Sequence, residues 1–350
     1  MTQAIGKIVV SVVLTLAATL CVIGPSPLHA AESDAIIAGA QKEGELITWA
    51  VGEITFQTMV VDRFKRKYPF IKKVEAIRIP SEKLRTRLLT EAQTGRSSDV
   101  DIIGLSGFEL VFLTDKGFFA PYRSPEAAAI PEGFKDANGL WTAYYVNTMI
   151  TAYNTRQVTP KEAPQRWEDL LDAKWKGKIA FYEEEYEWYA NYLKLVGRDK
   201  GLDFMRRLAR QELQYRGGHS QMVQLLAAGE FPIMGVAYAP RVSVVRANGA
   251  PIDWAALQPV FSTAIGMGVY KNAPHPNAAK LYIDFMLSKE VQQEIWVNAA
   301  WKGSARKDVI AKDPRWQGIK VIPLDLTIAQ RYREVAKEFQ QIFKPHGGAH

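Results

Sequence analysis

Cysteine is all but missing from this chain: Cys21 is the one example in 350 residues. It sits in an N-terminal apolar run behind Ala18-Thr19-Leu20, without the small neighbour that lipidation requires, and reads as a passive apolar residue. The rest of the chain therefore has no disulfide framework, thiol nucleophile or cysteine metal site. Histidine is scarce as well, with five residues. His346 and His350 lie in a polar tail and His275 sits between Pro274 and Pro276, which argues against a histidine metal cluster. No Gly-x-Ser-x-Gly elbow, phosphate loop or His-Glu-x-x-His is present, and Gly266-Met-Gly268 is only a fragment of a dinucleotide fingerprint. Neither an enzyme nor a cofactor is expected. The catalytic alternative is a secreted hydrolase using Glu183 and Glu185 as paired carboxylates.

Long apolar runs are also lacking after the first. Lys7 precedes the run Ile8 to Ile23, Pro25 and Pro27 break it, and Leu28-His29-Ala30 offers a small residue for cleavage. At about 16 residues the run is shorter than the roughly 20 of a spanning helix. It reads as a signal peptide over 1–30, with the mature protein beginning near Ala31 or Glu32 and exported to the periplasm. The alternative is a membrane anchor. The formal charge of +7 comes from 44 Lys and Arg against 37 Asp and Glu, dispersed along the chain rather than clustered. Dispersed charge argues against a nucleic-acid partner. The 47% hydrophobic content is enough for two ordinary domains without disulfides.

Strand and helix patterns alternate along the chain. Glu45–Ala50 reads as a buried strand, Gln57 to Tyr68 as a helix with Met59, Val60, Phe64 and Tyr68 in register, and Pro69 as its end. A strand over Val74–Ile79, a helix over Glu82–Thr94 closed by Gly95 and a strand over Val100–Gly104 follow. This order predicts an α/β fold with a mainly parallel sheet. Strands at Lys178–Tyr182 and Ile233–Val236 and helices near Trp188–Leu195, Gly201–Arg210 and Ser220–Ala228 form a second set, and Leu326–Ile342 reads as a helical tail. Further on, Pro274 and Pro276 stop a strand, Asn277 can cap a helix with an apolar face of Leu281, Tyr282, Phe285 and Met286, and Ser288 can cap the next.

The wording of Lys271 to Gln292 resembles a late segment of periplasmic solute-binding proteins of ABC importers, in the branch related to ferric-ion-binding proteins. So do Phe64-Lys-Arg-Lys-Tyr-Pro69, Thr90-Glu-Ala-Gln-Thr-Gly95, Tyr153-Asn-Thr155, Trp167-Glu-Asp-Leu170, Trp175-Lys-Gly-Lys178 and Ala227-Ala-Gly-Glu230, in order and spacing. The resemblance implies a two-lobe type II periplasmic-binding-protein fold with a hinge and an interlobe cleft. It places 32–139 and 262–350, helical tail included, in a first lobe and 140–261 in a second, with crossings near Leu140–Asn154 and Asn248–Phe261. The implied function is capture of a small polar solute by a monomer and its delivery to an inner-membrane ABC permease.

Open α/β sheets bind ligands beyond the carboxyl ends of their strands. The candidates there are Gly52, Thr55, Arg78, Ser106 and Gly107, each of which also suits ordinary capping or solvent exposure. Trp141 and Tyr144, with Tyr145, crowd the first crossing, where packing the hinge is the other reading. In the second lobe Gly218, His219 and Ser220 open a helix whose amides suit an anion or simply form a cap. Tyr182 leaves a strand, while Tyr186, Trp188 and Tyr189 divide between ligand and core. Glu183, Glu184 and Glu185 read as a solvated acidic turn or a partner for an amine or metal. The resemblance implies an adjacent tyrosine pair where this chain has Tyr238-Ala-Pro-Arg241. One phenol and an added cation favour an organic anion, carboxylated or phosphorylated, held by Tyr238 and Arg241; no metal is expected. The alternative is ferric iron, for which Tyr238 and Glu183 are the candidate ligands.

Overall fold

The computed structural model describes residues 27–343. The Ile8 to Ile23 run and the terminal histidines lie outside these residues. Helix α1 (Pro27–Glu43) precedes β1 (Glu45–Ala50), α2 (Ile54–Lys67), β2 (Lys73–Arg78), α3 (Ser81–Gln93), β3 (Ile102–Ser106), α4 (Gly107–Asp115) and the short β4 (Phe119–Ala120). β1 pairs in parallel with both β2 and β3, as the β-α-β-α-β order requires. Then come β5 (Thr142–Asn154), β6 (Ile179–Tyr182), α5 (Tyr186–Val196), α6 (Arg198–Ala209), β7 (Gln214–Arg216), α7 (His219–Ala228), β8 (Ile233–Tyr238), α8 (Ala239–Ala247) and β9 (Ile252–Ala255). The chain returns through β10 (Val260–Tyr270), α9 (Pro276–Leu287), α10 (Lys289–Val291, continued as a π-helix over Gln292–Ala299), β11 (Val321–Pro323), a 3₁₀ turn over Leu326–Arg331 and α11 (Tyr332–Phe343).

The two lobes share one strand. The first half of β5 pairs antiparallel with β10, which also pairs with β3; its second half pairs with β8 and β9. β8 lies beside β6, and β6 beside β7, both in parallel. The strand order β2-β1-β3-β10-β5-β8-β6-β7 thus runs continuously from one lobe into the other. All but one residue of β5 and every residue of β10 are buried, and their Val, Ile, Thr, Ala and Tyr content suits strands covered on both faces. Both strands pass between the lobes, where a hinge has to be.

One local expectation changes. Asn277 is inside α9, not its cap: the Glu43 carboxylate at the end of α1 accepts from Asn277 N (3.2 Å) and Ala278 N (2.7 Å). A charged acceptor from a neighbouring helix satisfies the free amides and complements the helix dipole better than an internal amide can. Ser288 does cap α10, accepting from Val291 N.

The C-terminal tail, expected with the first lobe, packs on the second. α11 buries Val335, Phe339 and Phe343, spaced four residues apart on one face. Phe339 meets Tyr186 and Tyr189 edge-on at 5.2 and 5.5 Å between centroids, and Phe343 stacks on Phe181 at 5.9 Å. The aromatic surface of α5 is what that stripe covers. Just before it, Leu326 seals Gly107 of α4, where an added Cβ would come within 2.6 Å of Leu326 Cδ2. The tail therefore spans from the first lobe to the second.

Candidate functional site

A cleft of about 950 Å³ opens where β3, β6 and β8 end. Ser106 lines it from the first lobe, Asn147 and Thr263 from the hinge strands, and Tyr182, Glu185, Glu187, His219 and Tyr238 from the second lobe. The tail closes one side with residues 329–334.

The second-lobe wall is a stack of rings. Tyr182 and Tyr238 are the last residues of their parallel-sheet strands, and Gly218, at φ +75°, turns the chain so that His219 opens α7 between them. Ring centroids are 4.7 Å apart for Tyr182 and His219, and 4.5 Å for His219 and Tyr238. The Tyr182 hydroxyl donates to Glu184 Oε2 at 3.0 Å. Glu185, only 3% exposed, places Oε2 3.3 Å from His219 Nε2. That approach is not aligned as a hydrogen bond, and Glu185 Oε2 and His219 Nδ1 both lack partners.

Burial sets the charge of this wall. It lowers the His219 pKa to about 4 and, with Glu187 nearby, raises that of Glu185 well above the usual carboxylate range. Burial also lifts Glu187 to about 7, and burial with the acidic neighbours pushes both phenols up. Burial thus disfavours the charged form of both partners in the Glu185–His219 contact, despite an ion-pair distance.

Outside the residues that line this cleft, positive charge gathers around Lys302, which lines a separate cavity with Ala239, Pro240 and Ser243. Arg241 lies in the first turn of α8, and its buried Nε has no partner. Lys302, after the π-helix, has a side chain only 15% exposed, with Nζ 3.8 Å from Glu53 Oε1 and 5.2 Å from the Tyr145 ring centroid. Burial and then Arg241 lower its pKa, against the pull of Glu53. Arg78, exposed at the end of β2, acts electrostatically on the same Tyr145. Arg78 and Arg241, far apart in sequence, thus bear on one Tyr145–Lys302 centre.

The remaining candidates are distributed unevenly. Ser106 lines the cleft and shares a 2.9 Å hydroxyl contact with Ser81. Gly52 is buried, its carbonyl accepting from Gln57 Nε2 at 2.5 Å, and Gly107 is covered by Leu326. Trp141 belongs to the core beneath Gly266. Tyr144 is buried too, edge-on to Tyr145 and Trp296 at 4.8 and 5.2 Å. All four are buried. Thr55, Gly218 and Ser220 are exposed and do not line the cavity; nor does the half-buried Glu183. Trp188 and Tyr189 are core, while Tyr186 lines the cavity. The acidic turn is not uniformly solvated: Glu184 is exposed but Glu185 is buried. Asn147, Thr263, Glu187 and Lys302 were not singled out from sequence. A lone Asn inside the apolar run of β5 was the legible signal.

Among the described residues no group of three His, Cys, Asp or Glu side chains is placed to hold a metal. Tyr182 does, however, give the wall the second phenol that the Tyr238 segment lacks.

Two α/β lobes joined by shared strands across a polar cleft constitute a two-lobe periplasmic-binding-protein fold. Solved structures agree: apo ferric ion-binding protein A of Pasteurella haemolytica has a TM-score of 0.73 at 14% identity, covering 88% of this chain and 100% of that one. A periplasmic binding protein of Actinobacillus pleuropneumoniae with fructose-6-phosphate bound gives 0.70 at 22% identity, covering 86% and 99%. The chain belongs to the family of bacterial extracellular solute-binding proteins, whose profile matches residues 59–320. A Salmonella typhimurium protein named as a 2-aminoethylphosphonate-binding periplasmic protein is 24% identical over 209 residues, which is 57% of this chain and 60% of that protein. The chain spans only 56–60% of the length of such curated relatives.

Proposed function

We propose that this protein is the periplasmic substrate-binding component of an ABC importer, a monomeric receptor rather than an enzyme. It captures a small organic anion, carboxylated or phosphorylated, and delivers it to the permease. The observation that carries the anion reading is Arg241, with an unpartnered buried Nε, acting electrostatically on the half-buried Lys302, which has Glu53 as its carboxylate neighbour. Buried cationic groups in excess of their counter-charge are stabilised by an incoming anion, and charge-assisted hydrogen bonds to it are the strong kind. The relative named for a phosphonate and the neighbour with a bound sugar phosphate support the same chemistry. Contacts from both lobes favour the closed form by their differential affinity for it.

A second reading, ferric iron, draws on Tyr182 and Tyr238 facing one wall. One set of measurements separates the two. A thermal-shift panel on ligand-stripped protein identifies the solute, and titration calorimetry then compares wild type with Arg241→Ala. The expected loss is about 1.5–3 kcal/mol of binding free energy. Unchanged affinity removes Arg241 from the site. Tight ferric binding with a phenolate-to-metal absorption band that disappears in Tyr238→Phe overturns the anion reading.

A further inference from the structure

The hinge strand β5 has a second cavity beside it, smaller than the cleft and of different chemistry. Asn147 lines the 950 Å³ cleft, whereas Val146 and Thr148 on either side of it line a cavity of about 190 Å³, as side chains alternate across a strand. Elements from both sides of the hinge close it. α8 contributes Ala239, Pro240 and Ser243, and the π-helix, tied to α2 by the Glu294–Arg63 ion pair, contributes Val297. The walls are apolar and rich in rings, with Phe134, Val146, Val297, Trp301, Val309 and Trp316. Two of those rings are braced: Lys312 Nζ lies 3.7 Å from the Trp301 centroid, and Trp254 stacks on Trp316 at 4.5 Å. Trp301 also holds φ at +56°, in the left-handed region that bulky residues rarely adopt and that is retained at functional positions.

Charge in this lining is unevenly satisfied. Asp313 is matched by Arg315, whose Nη2 lies 2.7 Å from Oδ2. Lys302 is not matched in this way: its side chain is 15% exposed, and its carboxylate neighbour, Glu53, stands 3.8 Å away, beyond a hydrogen bond. An ammonium held out of water without a hydrogen-bonded counter-charge is costly, and an anion entering the cavity offsets that cost. Size and polarity then choose the anion. An apolar cavity of about 150 Å³ holds a benzene ring, so this one has room for a single ring and the carboxylate it carries. The hydroxyls of a sugar phosphate would meet Val and Trp side chains and lose their hydrogen bonds.

We propose that this cavity is the anion site, and that its solute is a small aromatic monocarboxylate whose carboxylate pairs with Lys302 while the ring lies against Val146, Val297 and Trp301. This rests on the anion reading above and narrows it, since walls of this kind select an apolar body with one charged end. The Ser243 hydroxyl, in the same lining, is a second donor for the carboxylate. Arg241 acts on Lys302 from outside the lining and strengthens the attraction for an anion. A ligand held by α8 on one side and by the π-helix on the other favours the closed form.

The probes are benzoate, benzamide as its neutral ring-matched partner, acetate as its charge-matched partner, and a hexose phosphate. Calorimetry on ligand-stripped protein should show benzoate binding about 10- to 100-fold more tightly than benzamide, and by a similar factor more tightly than acetate. Lys302→Met, which keeps the length of the side chain without its charge, should abolish the preference for benzoate over benzamide. Irradiation with 4-azidobenzoate followed by peptide mapping should label α8 or residues 297–316. Label confined to residues 182–187, 219 and 238 would put the ligand in the larger cleft and overturn the proposal, as would equal affinity for benzoate and benzamide. Tight binding of the hexose phosphate without binding of benzoate also overturns it, yet leaves the anion reading standing if Lys302→Met weakens that binding. If no acid of either kind binds and ferric iron does, the anion reading falls and this inference with it. The wild-type selectivities and the position of the label decide the matter even if the variant does not fold.

Discussion

Replacing His219 with Gln should change how stability depends on pH. The imidazole, packed between Tyr182 and Tyr238, is held by burial at a pKa of about 4, against an ordinary 6.5 in the unfolded chain. Between those values the unfolded chain binds the proton and the native state does not, so stability from this group is full above 6.5 and is lost as the pH falls to 4. The slope approaches about 1.4 kcal/mol per pH unit, and the total is about 3 kcal/mol. Glu187 runs the other way. Raised to about 7 from an ordinary 4.5, it contributes stability present below 4.5 and lost as the pH rises toward 7. The two partly cancel in the wild type and conceal each other. Urea unfolding of wild type and His219→Gln at pH 4.5, 5.5, 6.5 and 7.5, extrapolated to water, separates them. The constant offset from lost packing is set aside, and the difference between the two proteins should shift in favour of the variant by about 2 to 3 kcal/mol as the pH falls across that series. Parallel stability curves would refute the argument, since they would mean that His219 titrates alike in the native and unfolded chains.

Two further expectations concern the tail and the hinge. Phe339→Ala should destabilise the protein by about 3–5 kcal/mol, because Phe339 is wholly buried against Tyr186 and Tyr189; a loss below about 1 kcal/mol in denaturant unfolding would mean that the tail is not integral to the second lobe. Saturating solute should compact the molecule, read as a smaller radius of gyration by small-angle scattering, and an unchanged radius would argue against closure about β5 and β10.

The local code of this chain settled its elements. β1 runs from Glu45 to Ala50 as its apolar run indicates, Ser288 caps the helix that follows it, and the β-α-β-α-β order forces β1, β2 and β3 into parallel pairing. These features depend on neighbours in sequence, where periodicity and turn chemistry act. Tyr238 and Arg241 were candidates through the family resemblance, which implies an adjacent tyrosine pair at that place. Tertiary structure decided the rest. Three consecutive glutamates look alike in sequence, yet the turn between β6 and α5 buries Glu185 and exposes Glu184. Tyr182 and Tyr238 flank His219 only because β6 lies beside β8, and Lys302 comes within electrostatic reach of Arg241 only because the chain returns through the hinge. The stripe of Val335, Phe339 and Phe343 announces a buried helix face but not its partner; the aromatic surface of α5, assembled from another part of the chain, chooses the second lobe over the first. Burial, not residue type, then works against the charged forms of His219 and Glu185, because charge is disfavoured wherever the fold excludes water.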